Sequence, residues 1–148
     1  MYIIPSKYDT KYIYILPSKS NYVLKHSLYR KILYSNKYIT LNGIYINIKL
    51  DNIQFFKKYN KYFLHFTNSF EDIITLEKQI LSKMSSQKKH NTLIKLAIET
   101  KRFIIDSKYT ITDNNFILYI SGLWENNYEV GLIYKLIPTN HQLSKNND

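Results

Sequence analysis

Hydrophobic and polar positions alternate most regularly near the end of the chain, in FILYISGLWENNYEVGLIYKLI at residues 116–137. Two arms with a period of two flank the polar turn Glu125-Asn126-Asn127, a pattern typical of a β-hairpin. On the first arm the alternation places the following residues on one face: Phe116, Leu118, Ile120, Gly122 and Trp124. Because both faces of the arms are largely apolar, we expect this hairpin to be central in the fold, with Trp124 in the core.

Three further stretches alternate as strands do. KYIYIL, at residues 11–16, places Tyr12 and Tyr14 on the face opposite to Ile13 and Ile15. YITLNGIYINIKL, at residues 38–50, contains Asn-Gly between two alternating runs, which predicts a hairpin with a type I′ turn. IQFFKKYNKYFLHFT predicts another hairpin around Tyr59-Asn60. Residues 18–36 are compatible with strands or with a short helix, and we favour strands.

One segment has the period of a helix. In SFEDIITLEKQILSKM, at residues 69–84, the apolar residues recur at helical spacing. TLIKLAIE, at residues 92–99, remains open between strand and helix. The pattern predicts a mainly β fold with one helix, arranged as a small, partly open barrel of the OB type. The alternative is a β-sandwich with an appended helix. We expect a single OB-like domain over residues 1–139 and a flexible polar tail over 140–148.

The composition excludes several classes of site. The 148 residues include no cysteine, which excludes a disulfide framework, a thiolate nucleophile and cysteine-ligated zinc. No signal peptide is evident and no stretch approaches the roughly 20 apolar residues of a membrane span, so we expect a cytoplasmic protein without a membrane partner. The three glycines form no phosphate-binding loop, and the four histidines lack the spacing of metal ligands. The carboxylates show no acid–base pairing, so we predict no enzyme activity, no metal and no cofactor.

Charge and tyrosine are concentrated in the first half of the chain. The net charge is +10, and residues 1–65 contain 11 lysines and arginines against two acidic residues. The same residues contain 11 of the 15 tyrosines, whereas residues 66–148 contain 10 basic and nine acidic residues. An A/T-rich genome would favour lysine and tyrosine codons throughout the chain, so it does not explain this asymmetry. The first half is therefore the candidate surface for an anionic partner.

Interleaved lysines and tyrosines indicate which anion this surface would bind. Proteins that bind single-stranded nucleic acid combine a positive groove with aromatic rings on which bases stack. The candidate binding residues are Lys11, Tyr12, Tyr14, Lys37, Tyr38, Tyr45, Lys49, Lys57, Lys58, Lys61 and Tyr62. The alternative explanation is structural, since tyrosine favours strands and lysine protects exposed sheet edges.

The closing hairpin also carries a family resemblance. The run ISGLW, a short polar turn and YEVGLIYKLI resemble the end of small OB-fold single-stranded DNA-binding proteins of large cytoplasmic DNA viruses, and the helix at 69–84 is similar to theirs. The A/T-rich composition would equally suit the virus-like cytoplasmic linear plasmids of yeasts. The resemblance implies sequence-tolerant binding of single-stranded DNA, favoured over RNA, in viral or plasmid DNA replication, without catalysis. Replication proteins or further copies of the chain are the implied protein partners.

The tail departs from one pattern, because SKNND lacks the acidic end with which phage-type relatives recruit replication proteins. An alternative function is a structural or assembly role, such as a minor capsid component or a small polymerase subunit, in which tyrosine-rich strands pack on a partner.

Overall fold

Strands form most of the structure, a computed structural model that describes residues 8–20, 27–84 and 87–139. The strands are β1 (Ile13–Ile15), β2 (Lys19–Ser20), β3 (Leu28–Ser35), β4 (Thr40–Leu41), β5 (Ile44–Lys49), β6 (Gln54–Lys58), β7 (Lys61–His65), β8 (Lys89–Asn91), β9 (Arg102–Asp106), β10 (Asn115–Glu125) and β11 (Glu129–Pro138). The helices are α1 (Glu71–Leu81) and α2 (Leu93–Glu99). The mainly β prediction is confirmed, and the ambiguous residues 92–99 supply a second helix.

The closing hairpin is the centre of the larger sheet. β10 and β11 pair antiparallel from Phe116 opposite Pro138 to Glu125 opposite Val130, as predicted. The other edge of β10 pairs first with β5, at residues 115–120, and then with β3, at residues 122–125. β1, β2 and β4 extend the sheet from β3, and β8 lies parallel to β11. The sheet curls into a half-barrel, in agreement with the predicted small OB-like fold.

A bulge at Ser121 changes which face of β10 each later side chain occupies. The pairing with β11 shifts register between Ile120 and Gly122. Beyond a bulge the alternation resumes one residue later. Leu123 and Glu125 therefore follow Ile120 into the core, and both are buried. Trp124 points to the opposite face and is half-buried, so the prediction of Trp124 as a core residue was wrong.

The hairpin predicted at Asn42-Gly43 does not form. β4 pairs with β3, and β5 pairs with β10, so the two arms belong to different strand pairs. The reversal occurs earlier, where the Asn36 side chain accepts hydrogen bonds from the N–H groups of Tyr38 and Ile39. Gly43, at φ +131°, then redirects the chain into β5. Pairing with the central strand outweighs the local preference of Asn-Gly.

A second sheet contains β6, β7 and β9 in antiparallel order. Its first two strands form the predicted hairpin, with Tyr59 and Asn60 both at positive φ, as a type I′ turn requires. Leu64, Phe103 and Ile105 on its inner face are buried in one cluster with the inner side chains of the larger sheet. The two sheets therefore share a single core.

Both helices pack against this core, and Glu77 joins them. Its carboxylate is fully buried and accepts hydrogen bonds from the N–H groups of Ile94 (2.9 Å) and Lys95 (2.8 Å) in the first turn of α2. Burial raises the pKa of Glu77, against the opposing effect of these two hydrogen bonds. Neither helix of the described residues has the length and apolar character needed to cross a membrane.

We expect Glu77→Ala to destabilise the protein by about 2–4 kcal/mol, because it removes two buried charge-assisted hydrogen bonds and leaves a cavity. Urea unfolding followed by circular dichroism measures this loss. Glu99→Ala is the matched control, since Glu99 is exposed on α2 and pairs with Lys95, at 3.8 Å. Equal stability of the two variants would contradict the role of Glu77.

Candidate nucleic-acid interface

The face of the larger sheet that points away from the core carries a row of aromatic side chains. Strand pairing places Tyr45 of β5 opposite Tyr119 of β10, and Tyr29 of β3 opposite Trp124 of β10. All four side chains are half-buried, whereas the alternate positions of these strands are largely buried. Tyr14 of β1 continues the same face and is exposed. We call these five residues the aromatic face.

Three of these rings lie over the three glycines of the chain. Atoms Nε1, Cε2 and Cζ2 of Trp124 lie 2.8–2.9 Å from the place that a Cβ of Gly131 would occupy. The ring of Tyr29 approaches Gly122 as closely, at 2.6 Å, and its hydroxyl donates a hydrogen bond to the Ser121 carbonyl oxygen. Tyr119 lies over Gly43 in the same way, at 2.5 Å.

Glycine thus leaves room for each ring to lie across the strand. Tyr29 and Trp124 are half-buried, so part of each side chain remains accessible to solvent. Such rings are suited to receive a planar ligand.

Tyr45 and Tyr119 form a stacked pair with centroids 4.5 Å apart and an interplanar angle of 7°. The Tyr119 hydroxyl donates a hydrogen bond to the carbonyl oxygen of Asn42, at 2.8 Å. The ammonium of Lys135 lies 5.7 Å from the centroid of the Tyr119 ring. Tyr119 is therefore held by contacts to its hydroxyl group and its ring, and both members of the pair are half-buried.

The raised pKa of Tyr119 predicts a loss of stability in alkali. Burial, together with the neighbouring Tyr45 side chain, raises the pKa of Tyr119 to about 12, and burial does the same for Tyr8. Since an unfolded tyrosine ionises near pH 10, the stabilisation is fully present below about pH 10 and is lost as the pH rises towards 12.

Thermal unfolding across this pH range should show a smaller decline in Tm for Tyr119→Phe than for the unchanged protein. Tyr128→Phe is the control, since the side chain of Tyr128 is 79% exposed in the turn between β10 and β11. An identical decline for Tyr119→Phe and the unchanged protein would contradict the prediction.

Lysines border the aromatic face. Lys31 lies opposite Gly122, Lys49 opposite Asn115 and Lys135 opposite Tyr119. Among the positions of β3, β5, β10 and β11 that share this face, the one carboxylate is Glu129, at the start of β11. The centre of the face therefore combines ring surfaces with positive charge.

Three of the predicted binding residues lie on this face: Tyr14, Tyr45 and Lys49. Tyr12 was predicted to point outward with Tyr14, but it lies in a 3-10 turn and packs edge-on against Tyr34, at 6.2 Å between centroids. Lys11 is exposed beside it and pairs with Asp9 at 3.5 Å. Lys37 and Tyr38 are exposed in the turn between β3 and β4.

The remaining predicted residues belong to the second sheet. Lys57, Lys58 and Lys61 are exposed around the turn between β6 and β7. Tyr62 lies on the inner side of that sheet, half-buried against the core and edge-on to Phe55. The sequence therefore grouped residues that the fold separates.

Sequence reasoning missed Tyr29, Lys31, Tyr119, Trp124 and Lys135. Tyr119 and Lys135 occupy outward positions of the closing hairpin, which the alternation could have identified. Trp124 could not be identified, because nothing in ISGLW indicates the bulge at Ser121. Tyr29 and Lys31 depended on residues 18–36, where strand and helix were both possible.

The ion pairs near the end of β10 have a structural explanation. Glu125 is buried and accepts hydrogen bonds from Arg30 Nε, at 2.7 Å, and Lys88 Nζ, at 3.0 Å. Burial alone would raise the pKa of Glu125, but these two bonds outweigh it and lower the pKa. The described residues contain no group of three or more acidic or histidine side chains that could bind a metal.

Comparisons of the chain with protein-family models, with curated proteins and with solved structures find no match.

Proposed function

We propose that the protein binds single-stranded nucleic acid, with DNA favoured, through the aromatic face. The observation that carries the proposal is the arrangement of Tyr29 and Trp124, whose rings lie over Gly122 and Gly131 with lysines beside them. A base that stacks on such a ring gains about 1–3 kcal/mol whatever its identity. Two or three rings on one sheet therefore support sequence-tolerant binding.

The charges on the face suit a phosphate backbone that follows the rings. Lys31, Lys49 and Lys135 lie on three different strands of the same face. A single-stranded nucleic acid whose bases stack on the rings would bring its phosphates close to these ammonium groups. Their contribution depends on counterion release, so affinity should fall steeply with salt.

The resemblance of the closing hairpin to small viral DNA-binding proteins supports DNA rather than RNA and a role in replication. The same resemblance favours action in the cytoplasm, on viral or linear plasmid DNA. Coating of single-stranded DNA requires affinity without sequence preference, which stacking of bases on ring faces provides.

Gel-shift titration with oligo-dT and with a duplex of the same length, at low and high salt, tests the proposal. We expect the protein to shift oligo-dT at lower concentration than the duplex, and the shift to weaken steeply as salt rises. A preference for the duplex, or binding to neither, would refute it. Self-assembly without nucleic acid, seen by size-exclusion chromatography after nuclease treatment, would support the structural alternative instead.

A further inference from the structure

A second surface, which shares Lys135 with the border of the aromatic face but contains none of its rings, includes a groove of about 470 Å³ between α2, β9 and β11. Its floor is largely aliphatic and includes Leu93, Leu96, Ala97 and Ile104. The charged side chains that line it are Lys61, Arg102 and Lys135. Every charged side chain in this lining is therefore positive.

The floor of the groove exposes large aliphatic groups. Leu96 is 56% exposed and Ile104 is 48% exposed. The apolar surface extends from Ile104 to Phe63, its partner on β7, and then to Phe56 on β6. An apolar surface that continues across a helix and three strands is a common mark of a protein-binding site.

The chemistry of the floor favours a polypeptide over nucleic acid. Bases need free ring faces, whereas the groove offers branched aliphatic side chains. The ring that lines the groove, Tyr134, packs against the core and lies edge-on to Phe103, at 6.4 Å between centroids. Phe63, beside Ile104, stacks on Phe56 at 5.6 Å, and the Arg102 guanidinium lies over it at 5.3 Å from the centroid. Leu96 and Ile104 are suited to apolar side chains, and the cations beside them are suited to carboxylates.

We propose that this groove binds a short, acidic, amphipathic segment of a partner protein. Its apolar side chains contact Leu96 and Ile104, and its carboxylates pair with Lys61 and Arg102. Recognition of this kind requires apolar anchors at helical spacing with acidic residues around them. The proposal does not depend on the function of the aromatic face.

Fluorescence anisotropy with a labelled peptide tests the proposal on the full chain. The probe is a peptide of about 12 residues with Leu and Phe at i, i+3 and i+4 spacing and Asp or Glu elsewhere. We expect Ile104→Lys and Arg102→Glu each to weaken its binding by about tenfold or more. Both side chains are exposed, so the circular dichroism should remain unchanged. Tyr128→Lys, an exposed aromatic away from the groove, should bind the peptide as the unchanged protein does.

Several outcomes would overturn the proposal. They are the absence of peptide binding, equal binding of a peptide in which Lys replaces every acidic residue, and equal binding by the groove variants. Weaker oligo-dT binding by Arg102→Glu with unchanged peptide binding would assign the groove to nucleic acid. Concentration-dependent dimerisation that Ile104→Lys abolishes, without peptide binding, would assign the groove to a second copy of the chain.

Discussion

Replacing both Tyr29 and Trp124 by alanine should weaken oligo-dT binding by about 30-fold or more. Each ring contributes about 1–3 kcal/mol if one base stacks on it, and the two rings lie side by side on paired strands. Each single substitution should weaken binding by roughly five- to 150-fold. Fluorescence anisotropy with labelled oligo-dT at low salt measures these changes.

The control for this experiment is Tyr128→Ala. Its side chain is exposed in the turn between β10 and β11, so removal should affect neither folding nor binding. Replacing Tyr12 by alanine tests whether binding depends on the aromatic face or on the tyrosines that the sequence pattern predicted. Tyr12 belongs to the predicted set, but it packs against Tyr34 and does not lie on the face. We expect Tyr12→Ala to lower stability and to leave the affinity of the folded protein unchanged. Unchanged oligo-dT binding by the Tyr29 and Trp124 double variant would show that the aromatic face does not bind single-stranded nucleic acid.

Replacing Gly131 by alanine should weaken oligo-dT binding nearly as much as removing the indole of Trp124. A Cβ at Gly131 would lie 2.8 Å from the ring, so the indole must move off the strand. The backbone of Gly131 lies outside the left-handed region, so alanine introduces no φ penalty. We therefore expect a loss of affinity of about tenfold with a small change in the free energy of unfolding.

Gly122→Ala provides the contrast. Its Cβ would lie 2.5 Å from the carbonyl oxygen of Arg30, which belongs to the backbone of the neighbouring strand and cannot move aside as a side chain can. This variant should lose stability by about 1–3 kcal/mol. Equal destabilisation by the two glycine substitutions, without loss of affinity in Gly131→Ala, would contradict the proposed placement of Trp124.

The sequence predicted features that depend on neighbouring residues. The closing hairpin followed from alternation, the turn at Tyr59-Asn60 from its residue types, and α1 from its apolar period. Each of these signals lies within a few residues of the element that it specifies. The mainly β, OB-like fold could therefore be predicted from the chain alone.

The candidate site depended on pairings between distant residues. The outward position of Trp124 results from a bulge at Ser121, which lies where β10 exchanges its partner β5 for β3. No local pattern specifies that exchange. The same long-range pairing separated the two arms beside Asn42-Gly43. Counting lysines and tyrosines identified a basic half of the chain, whereas the fold selects rings from both halves.

Trp124 is the only tryptophan of the chain, so its fluorescence reports directly on the aromatic face. We expect oligo-dT to quench this fluorescence at low salt, saturably and at the concentrations that produce the gel shift, and added salt to restore it. Emission that stays unchanged while oligo-dT binds would contradict stacking on Trp124 and with it the central claim that the aromatic face binds single-stranded nucleic acid.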